Sequence, residues 1–140
     1  MATELTLRRV LPFPPAAVFA AWIDPARLAG WMSPFGAARA DVDARVGGRF
    51  RIVMLGPDRT IEHTGEYREV DPPRRLVFTW RSPYTGAAGS LVTIELRPVD
   101  GGTELTLVHA RLPADRVEPH AGGWGSLLDG LARHLADGEE

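Results

Sequence analysis

Apolar side chains recur at helical spacing near the end of the chain, between residues 120 and 136. Positions i, i+3, i+4, i+7 and i+11 share one face of a helix, because successive residues are about 100° apart. Here those positions hold Trp124, Leu127, Leu128, Leu131 and Leu135. The pattern predicts an amphipathic helix with Pro119 in its first turn. Its apolar face needs a large surface to cover it.

Prolines and one aspartate predict two short helices near the start of the chain. Residues 4–11 alternate as a strand, and the prolines that follow end its ladder pairing. Pro15 suits the first turn of a helix that runs to about Ile23. Asp24 suits the N-cap of a second helix over residues 26–31. Both are too short to be stable alone, so we expect them to fill one end of a sheet.

Between residues 37 and 110 the hydrophobic period changes to two, which is typical of strands with one buried face. Turn residues such as Gly47-Gly48 and Asp100-Gly101-Gly102 separate the segments, which favours antiparallel pairing. The six further strands are predicted at residues 37–44, 49–55, 61–70, 74–81, 91–98 and 103–110. We therefore expect an α+β fold of one domain over residues 1–140, in which about seven strands curve around the C-terminal helix and leave a cavity between them.

Composition narrows the classes of function. The 140 residues carry a formal net charge of −2 with no basic run, so nucleic-acid binding is not expected. The absence of Cys excludes disulfides and thiolate metal sites, and the absence of Lys excludes a lysine Schiff base. No segment has the pattern of a membrane span or a signal peptide, so we expect a cytoplasmic protein. The lack of Lys, Asn and Gln is typical of a GC-rich bacterial genome.

A set of short motifs occurs in a fixed order along nearly the whole chain. It comprises Arg8-Arg9, Val18-Phe19, Trp22-Ile23-Asp24-Pro25, Trp31, Val46-Gly47-Gly48-Arg49-Phe50, Gly65-Glu66-Tyr67, Val70-Asp71-Pro72-Pro73, residues 75–80, residues 102–107 and Gly123-Trp124. On these motifs the chain resembles the family named after the activator of the 90-kDa heat-shock protein ATPase, within the Bet v 1/START-like (SRPBCC) superfamily. The resemblance implies a helix-grip fold with a central cavity. Superfamily members bind lipids, hormones or polyketides, some are cyclases or hydrolases, and the namesake is a cochaperone.

The candidate ligand-binding residues are the side chains that these patterns place on the inner side of the fold. The apolar candidates are Trp22, Trp31, Phe35, Phe50, Ile52, Met54, Phe78, Trp80, Ile94, Leu107, Trp124 and Leu128. The polar candidates are His63, Tyr67, His109 and His120, which would orient a ligand. The alternative for all of them is simple core packing. The histidines have no recognised metal-ligand spacing, and we predict neither a metal nor another cofactor.

These observations favour non-covalent binding of a hydrophobic small molecule in the cavity. One alternative is a cyclase or hydrolase that uses His63, Tyr67 or His109 as acid or base, although no catalytic residue is assigned. A second alternative is an interaction module that contacts a chaperone. A homodimer through a sheet edge or through residues 83–90 is compatible with the sequence, which does not require it. Gly122, Gly123 and Gly125 around Trp124 weaken the predicted helix start, which suggests either close backbone packing or a mobile gate over the cavity entrance.

Overall fold

A computed structural model describes residues 3–86 and 89–138 of the chain. The strands are β1 (Leu5–Leu11), β2 (Ala38–Val42), β3 (Arg49–Leu55), β4 (Thr60–Asp71), β5 (Arg75–Trp80), β6 (Ser90–Val99) and β7 (Gly102–Ala110). The helices are α1 (Pro15–Ile23), α2 (Pro25–Trp31) and α3 (Val117–Gly138), with a 3-10 turn at Ala114–Arg116. The strands form one antiparallel sheet in the order β1-β7-β6-β5-β4-β3-β2. The predicted architecture is confirmed.

Helices α1 and α2 form a tight unit at one end of the sheet. The Asp24 carboxylate caps α2 by accepting from the backbone N–H groups of Ala26, at 2.9 Å, and Arg27, at 3.4 Å. The Trp31 indole donates to the Ala21 carbonyl at 2.9 Å and packs edge-on against Trp22, with ring centroids 4.7 Å apart. This hydrogen bond and this aromatic contact tie the two short helices together.

Helix α3 begins three residues before its predicted start, because the 3-10 turn at Ala114–Arg116 leads directly into it. Pro119 lies in its first turn as predicted. The whole predicted apolar face is buried, namely Trp124, Leu127, Leu128, Leu131 and Leu135. Asp137 belongs to the helix, and residues 139–140 lie outside the described residues.

The strand bounds differ from prediction mainly at the β2–β3 connection. Strand β2 ends at Val42 because Asp43 turns the chain, and its carbonyl accepts from the Arg45 N–H at 2.8 Å. Gly47 in this turn has φ of 83°, a left-handed value that favours glycine. Strand β4 instead extends to twelve residues, with a bulge between Tyr67 and Glu69 that bends the sheet.

Strands β1 and β2 are the two edges of the sheet in the described residues. The homodimer contacts named from the sequence, a sheet edge or residues 83–90, stay predictions, and residues 87–88 of that loop lie outside the described residues. No helix in the described part of the chain combines the length and the apolarity that a bilayer span requires.

Gly65 allows neighbouring groups to pack closely against the β4 backbone. A Cβ at this position would lie 1.9 Å from the Thr79 carbonyl oxygen and 2.4 Å from a ring carbon of Phe50. The Phe50 ring therefore packs directly onto the β4 backbone, which only glycine permits. Gly122 is the opposite case, since a Cβ there would meet no atom within 4 Å.

We expect Gly65→Ala to lower the free energy of unfolding by about 2–3 kcal/mol, because the added methyl group forces the Phe50 ring and the β5 backbone apart. Gly122→Ala is the matched control and should raise it by about 0.5–1 kcal/mol, since alanine favours the helix and meets no neighbour. Urea unfolding of both variants measures the two changes. Equal effects of the two substitutions would contradict the packing described for Gly65.

Candidate functional site

An open cleft of about 530 Å³ lies between the inner face of the sheet and the first half of α3. It is lined by Pro34, Phe35, Met54, Arg59, Ile61, His63, Trp80, Tyr84, Arg116, Pro119, His120, Gly123, Trp124 and Leu127. The lining therefore comes from the segment after α2, from strands β3, β4 and β5, from the β5–β6 loop and from α3 with the turn before it.

The structure brings six of the sixteen candidate residues together around this cleft, namely Phe35, Met54, His63, Trp80, His120 and Trp124. Five others surround a small interior space of about 10 Å³, namely Trp22, Phe50, Ile52, Tyr67 and Phe78. The remaining five line neither space and are buried in the core, namely Trp31, Ile94, Leu107, His109 and Leu128. The interior is thus closely packed at its deep end and open at the end near α3.

Eight further residues line the cleft without having been predicted from the sequence. Ile61 and Leu127 could have been predicted from the sequence. Ile61 lies on the same face of its strand as His63, and Leu127 belongs to the apolar face of α3. Gly123 was noted only as part of a gate. The others lie in loops or turns where no hydrophobic period exists, namely Pro34, Arg59, Tyr84, Arg116 and Pro119.

His109 is fully buried and fixes Trp124 through a chain of hydrogen bonds. The Trp124 indole N–H donates to His109 Nδ1 at 2.9 Å. An indole only donates, so the proton of the neutral imidazole is on Nε2 and is donated to Ser90 Oγ at 2.7 Å. The Ser90 hydroxyl in turn donates to the Trp80 carbonyl at 2.7 Å. Both ring nitrogens of His109 are therefore used inside the protein.

Burial lowers the pKa of His109 to about 3, and the charges of His120 and His63 act in the same direction. His109 is consequently neutral at neutral pH, as its hydrogen bonds require. Its position suits it to orient Trp124 at the wall of the cleft rather than to exchange protons with a ligand.

His63 has a different environment in the wall of the cleft. Its ring stacks on Trp80 with centroids 4.5 Å apart. Burial lowers its pKa to about 4, His120 lowers it further, and the Ile61 backbone opposes the shift. Its Nδ1 is buried without a hydrogen-bond partner in the described part of the chain. A buried polar atom of this kind costs about 1–3 kcal/mol unless a partner is supplied.

His120 lies between these two histidines and the mouth of the cleft. Its Nδ1 is 2.8 Å from the Arg116 carbonyl, which only accepts, so Nδ1 carries a proton. Its ring meets His109 edge to face, with centroids 5.1 Å apart. Nε2 of a neutral His120 is then left as an acceptor. Its neighbour at the mouth, Tyr84, receives a hydrogen bond from Arg59 Nη1 at 3.4 Å.

Tyr67, a fourth polar candidate, lies at the deep end rather than in the cleft. Burial raises the pKa of its hydroxyl, and the Asp43 carboxylate raises it further, so the phenol stays protonated. Among residues 3–86 and 89–138, no three His, Asp or Glu side chains are grouped as metal ligands would be.

Comparison with known proteins identifies the family of the chain. The family model described as "Activator of Hsp90 ATPase homolog 1-like protein" matches residues 12–136. The chain belongs to this family. A crystal structure of a Chromobacterium violaceum protein is 32% identical, with a TM-score of 0.82 over 93% of this chain and 95% of that one. A Rhodobacter sphaeroides protein is also 32% identical, with a TM-score of 0.82 over 96% and 90%.

A third similar structure is that of a protein from Nitrosomonas europaea. It is 26% identical and has a TM-score of 0.83 over 96% of this chain and 95% of that one. Comparison with functionally curated proteins finds no match. The family and the helix-grip fold are therefore shown, and the ligand must be argued from the side chains of the cleft.

We expect the free energy of unfolding to fall as the pH is lowered from 7 to 5. The folded-state pKa values of His63 and His109, about 4 and about 3, are below their ordinary value of 6.5. Between pH 6.5 and these values the unfolded chain binds protons that the folded chain does not, so stability decreases as the pH falls. Each histidine should lower the free energy of unfolding by about 1–2 kcal/mol between pH 7 and pH 5.

Urea unfolding of the wild type, His63→Gln and His109→Gln at pH 7 and pH 5 measures this dependence. Each substitution removes one of the two groups, so each variant should lose less free energy between the two pH values than the wild type does. A wild-type free energy of unfolding that does not change between pH 7 and pH 5 would show that neither histidine is held neutral.

Proposed function

We propose that this protein binds a hydrophobic small molecule, non-covalently, in the cleft between the sheet and α3. The observation that carries the proposal is the cleft of about 530 Å³ with a mainly aromatic and aliphatic lining. Its volume lies within the range of roughly 300–1,000 Å³ that small-molecule sites occupy. A few polar groups, among them His63 and His120, stand in this lining and would orient a ligand.

The rigidity of the back wall supports the proposal. Trp80 and Trp124 pack against each other with ring centroids 5.1 Å apart and ring planes tilted by 45°, and the Trp124 indole is held by His109. These rings therefore need little ordering when a ligand packs against them, which reduces the entropic cost of binding.

The enzyme alternative receives less support from the geometry. His109 has both ring nitrogens engaged, and Tyr67 lies away from the cleft. Within residues 3–86 and 89–138, no Asp or Glu lines the cleft to orient the imidazole of His63 or His120. The chaperone alternative would need an exposed apolar or charged patch. The large hydrophobic side chains found exposed in the described residues are Val10, in edge strand β1, and Val46, in the turn between β2 and β3.

Filling the cleft should abolish binding without unfolding the protein. Gly123 lines the cleft, and a Cβ there meets no atom within 4 Å, so Gly123→Leu places a side chain into the open space. We expect it to weaken binding of the uncharged probe N-phenyl-1-naphthylamine at least tenfold, that is by about 1.4 kcal/mol or more. Probe fluorescence at increasing protein concentration measures the affinity.

Gly122→Leu is the matched control, because Gly122 is equally free of neighbours but does not line the cleft. Both substitutions replace a helical glycine, so both variants should be at least as stable as the wild type. Affinity in the control should stay within about twofold of the wild-type value. Absence of saturable binding to the wild type, or equal loss in both variants, would contradict the proposed site.

A further inference from the structure

The charged side chains that line the cleft are all basic. Arg59 and Arg116 are both lining residues, and among the described residues the lining includes no Asp or Glu. Some arginines on the outer face of the sheet pair with carboxylates, as in Arg75 with Glu95 at 2.8 Å and Arg97 with Glu104 at 3.0 Å. The two cleft arginines differ from these paired arginines in having no carboxylate beside them in the cleft lining.

Neither cleft arginine forms an ion pair in the described part of the chain, since no carboxylate oxygen lies within 4.0 Å of either guanidinium. Asp58 and Asp115 are their sequence neighbours, yet both acids are exposed and neither is in ion-pair contact with them. The positive charge of the two guanidinium groups is thus available to a ligand.

Three separate elements bring these charges to one place. Arg59 ends the β3–β4 turn, Tyr84 lies in the β5–β6 loop, and Arg116 ends the 3-10 turn before α3. Arg59 Nη1 donates to the Tyr84 hydroxyl at 3.4 Å, and the Arg116 guanidinium lies over the Tyr84 ring at 5.4 Å from its centroid. The Tyr84 oxygen accepts from Arg59, so its own proton is left to donate to a ligand.

The cleft consequently has two chemically different ends. Trp80, Trp124 and Leu127 are buried and apolar, whereas Arg59 is exposed and Arg116 is half-buried. A guanidinium presents a planar set of donors that matches a carboxylate, and the charge makes each hydrogen bond stronger than a neutral one. The apolar end would accept a hydrocarbon body, and the basic end would accept an anionic group attached to it.

We infer that the ligand is an amphipathic carboxylic acid, with its apolar body against Trp80 and Trp124 and its carboxylate at Arg59, Arg116 and the Tyr84 hydroxyl. This inference rests on the proposed function and specifies the ligand class of the same cleft. The competing explanation is that the two arginines serve only to hold the Tyr84 ring in the β5–β6 loop.

Matched acid and amide pairs separate the two explanations, because an amide keeps the size and shape of its acid but has no charge. The probes are 2-naphthoate with 2-naphthamide, biphenyl-4-carboxylate with biphenyl-4-carboxamide, and octanoate with octanamide. Isothermal titration calorimetry at low salt measures affinity, and NMR shift changes at Trp80 and Trp124 place the binding in the cleft. The wild type should bind the acids about tenfold more tightly than the amides.

The double variant Arg59→Gln/Arg116→Gln should lose this preference while keeping its affinity for the amides within about twofold. Retained amide binding also shows that the variant is folded. Arg133→Gln is the matched control, because it removes one positive charge from the exposed face of α3 and away from the cleft. It should keep the tenfold preference, and raising the salt concentration should reduce the preference in the wild type.

Each outcome has a distinct meaning. Equal affinity of the wild type for acids and amides would overturn the inference and leave the proposed function standing. An acid preference that survives in the double variant would also overturn it, since the charge would then act from elsewhere. Failure of every acid and every amide to bind the wild type would contradict the proposed function itself.

Discussion

The structure depends on how the Trp124 indole is held where α3 meets the sheet. One side of its ring packs on Trp22 in the closed core, with centroids 6.1 Å apart, and another side lies in the wall of the cleft. Its N–H would cost about 1–3 kcal/mol if it were buried without a partner. His109 accepts this hydrogen bond, and can do so only while the imidazole is neutral. Burial of His109 and the orientation of Trp124 therefore support each other.

The side chains at the two ends of the interior explain why only one end is open. Helices α1 and α2 fill the deep end with Trp22 and Trp31, and the Phe50 ring lies on the β4 backbone at Gly65. Little space is left there, about 10 Å³, and the Trp22 indole N–H has no partner among the described residues. At the other end, Gly123 in the first half of α3 supplies no side chain, so the space under the sheet is not filled.

The fold was predictable because hydrophobic period and turn chemistry agree along the chain. The leucine spacing of α3, the Asp24 cap and the two-residue alternation of the strands each specify an element without help from the rest. The cleft was only partly predictable. The hydrophobic period shows which side chains point inward, but it does not show how far from the cleft each one lies. The sequence therefore does not distinguish Leu107 and Leu128, which are in the core, from Met54, which lines the cleft. Arg59, Tyr84 and Arg116 lie in segments without a period, and only the folded chain brings them together.

The difference between periodic segments and loops also affects how function is inferred within the family. The residues that hold the sheet onto α3 serve the fold, and the family match covers residues 12–136. The side chains that would distinguish one ligand from another come largely from loops and turns, where substitution costs little stability. Arg59, Tyr84 and Arg116 are of this second kind. A change in these side chains would alter the mouth of the cleft and leave the fold unaffected.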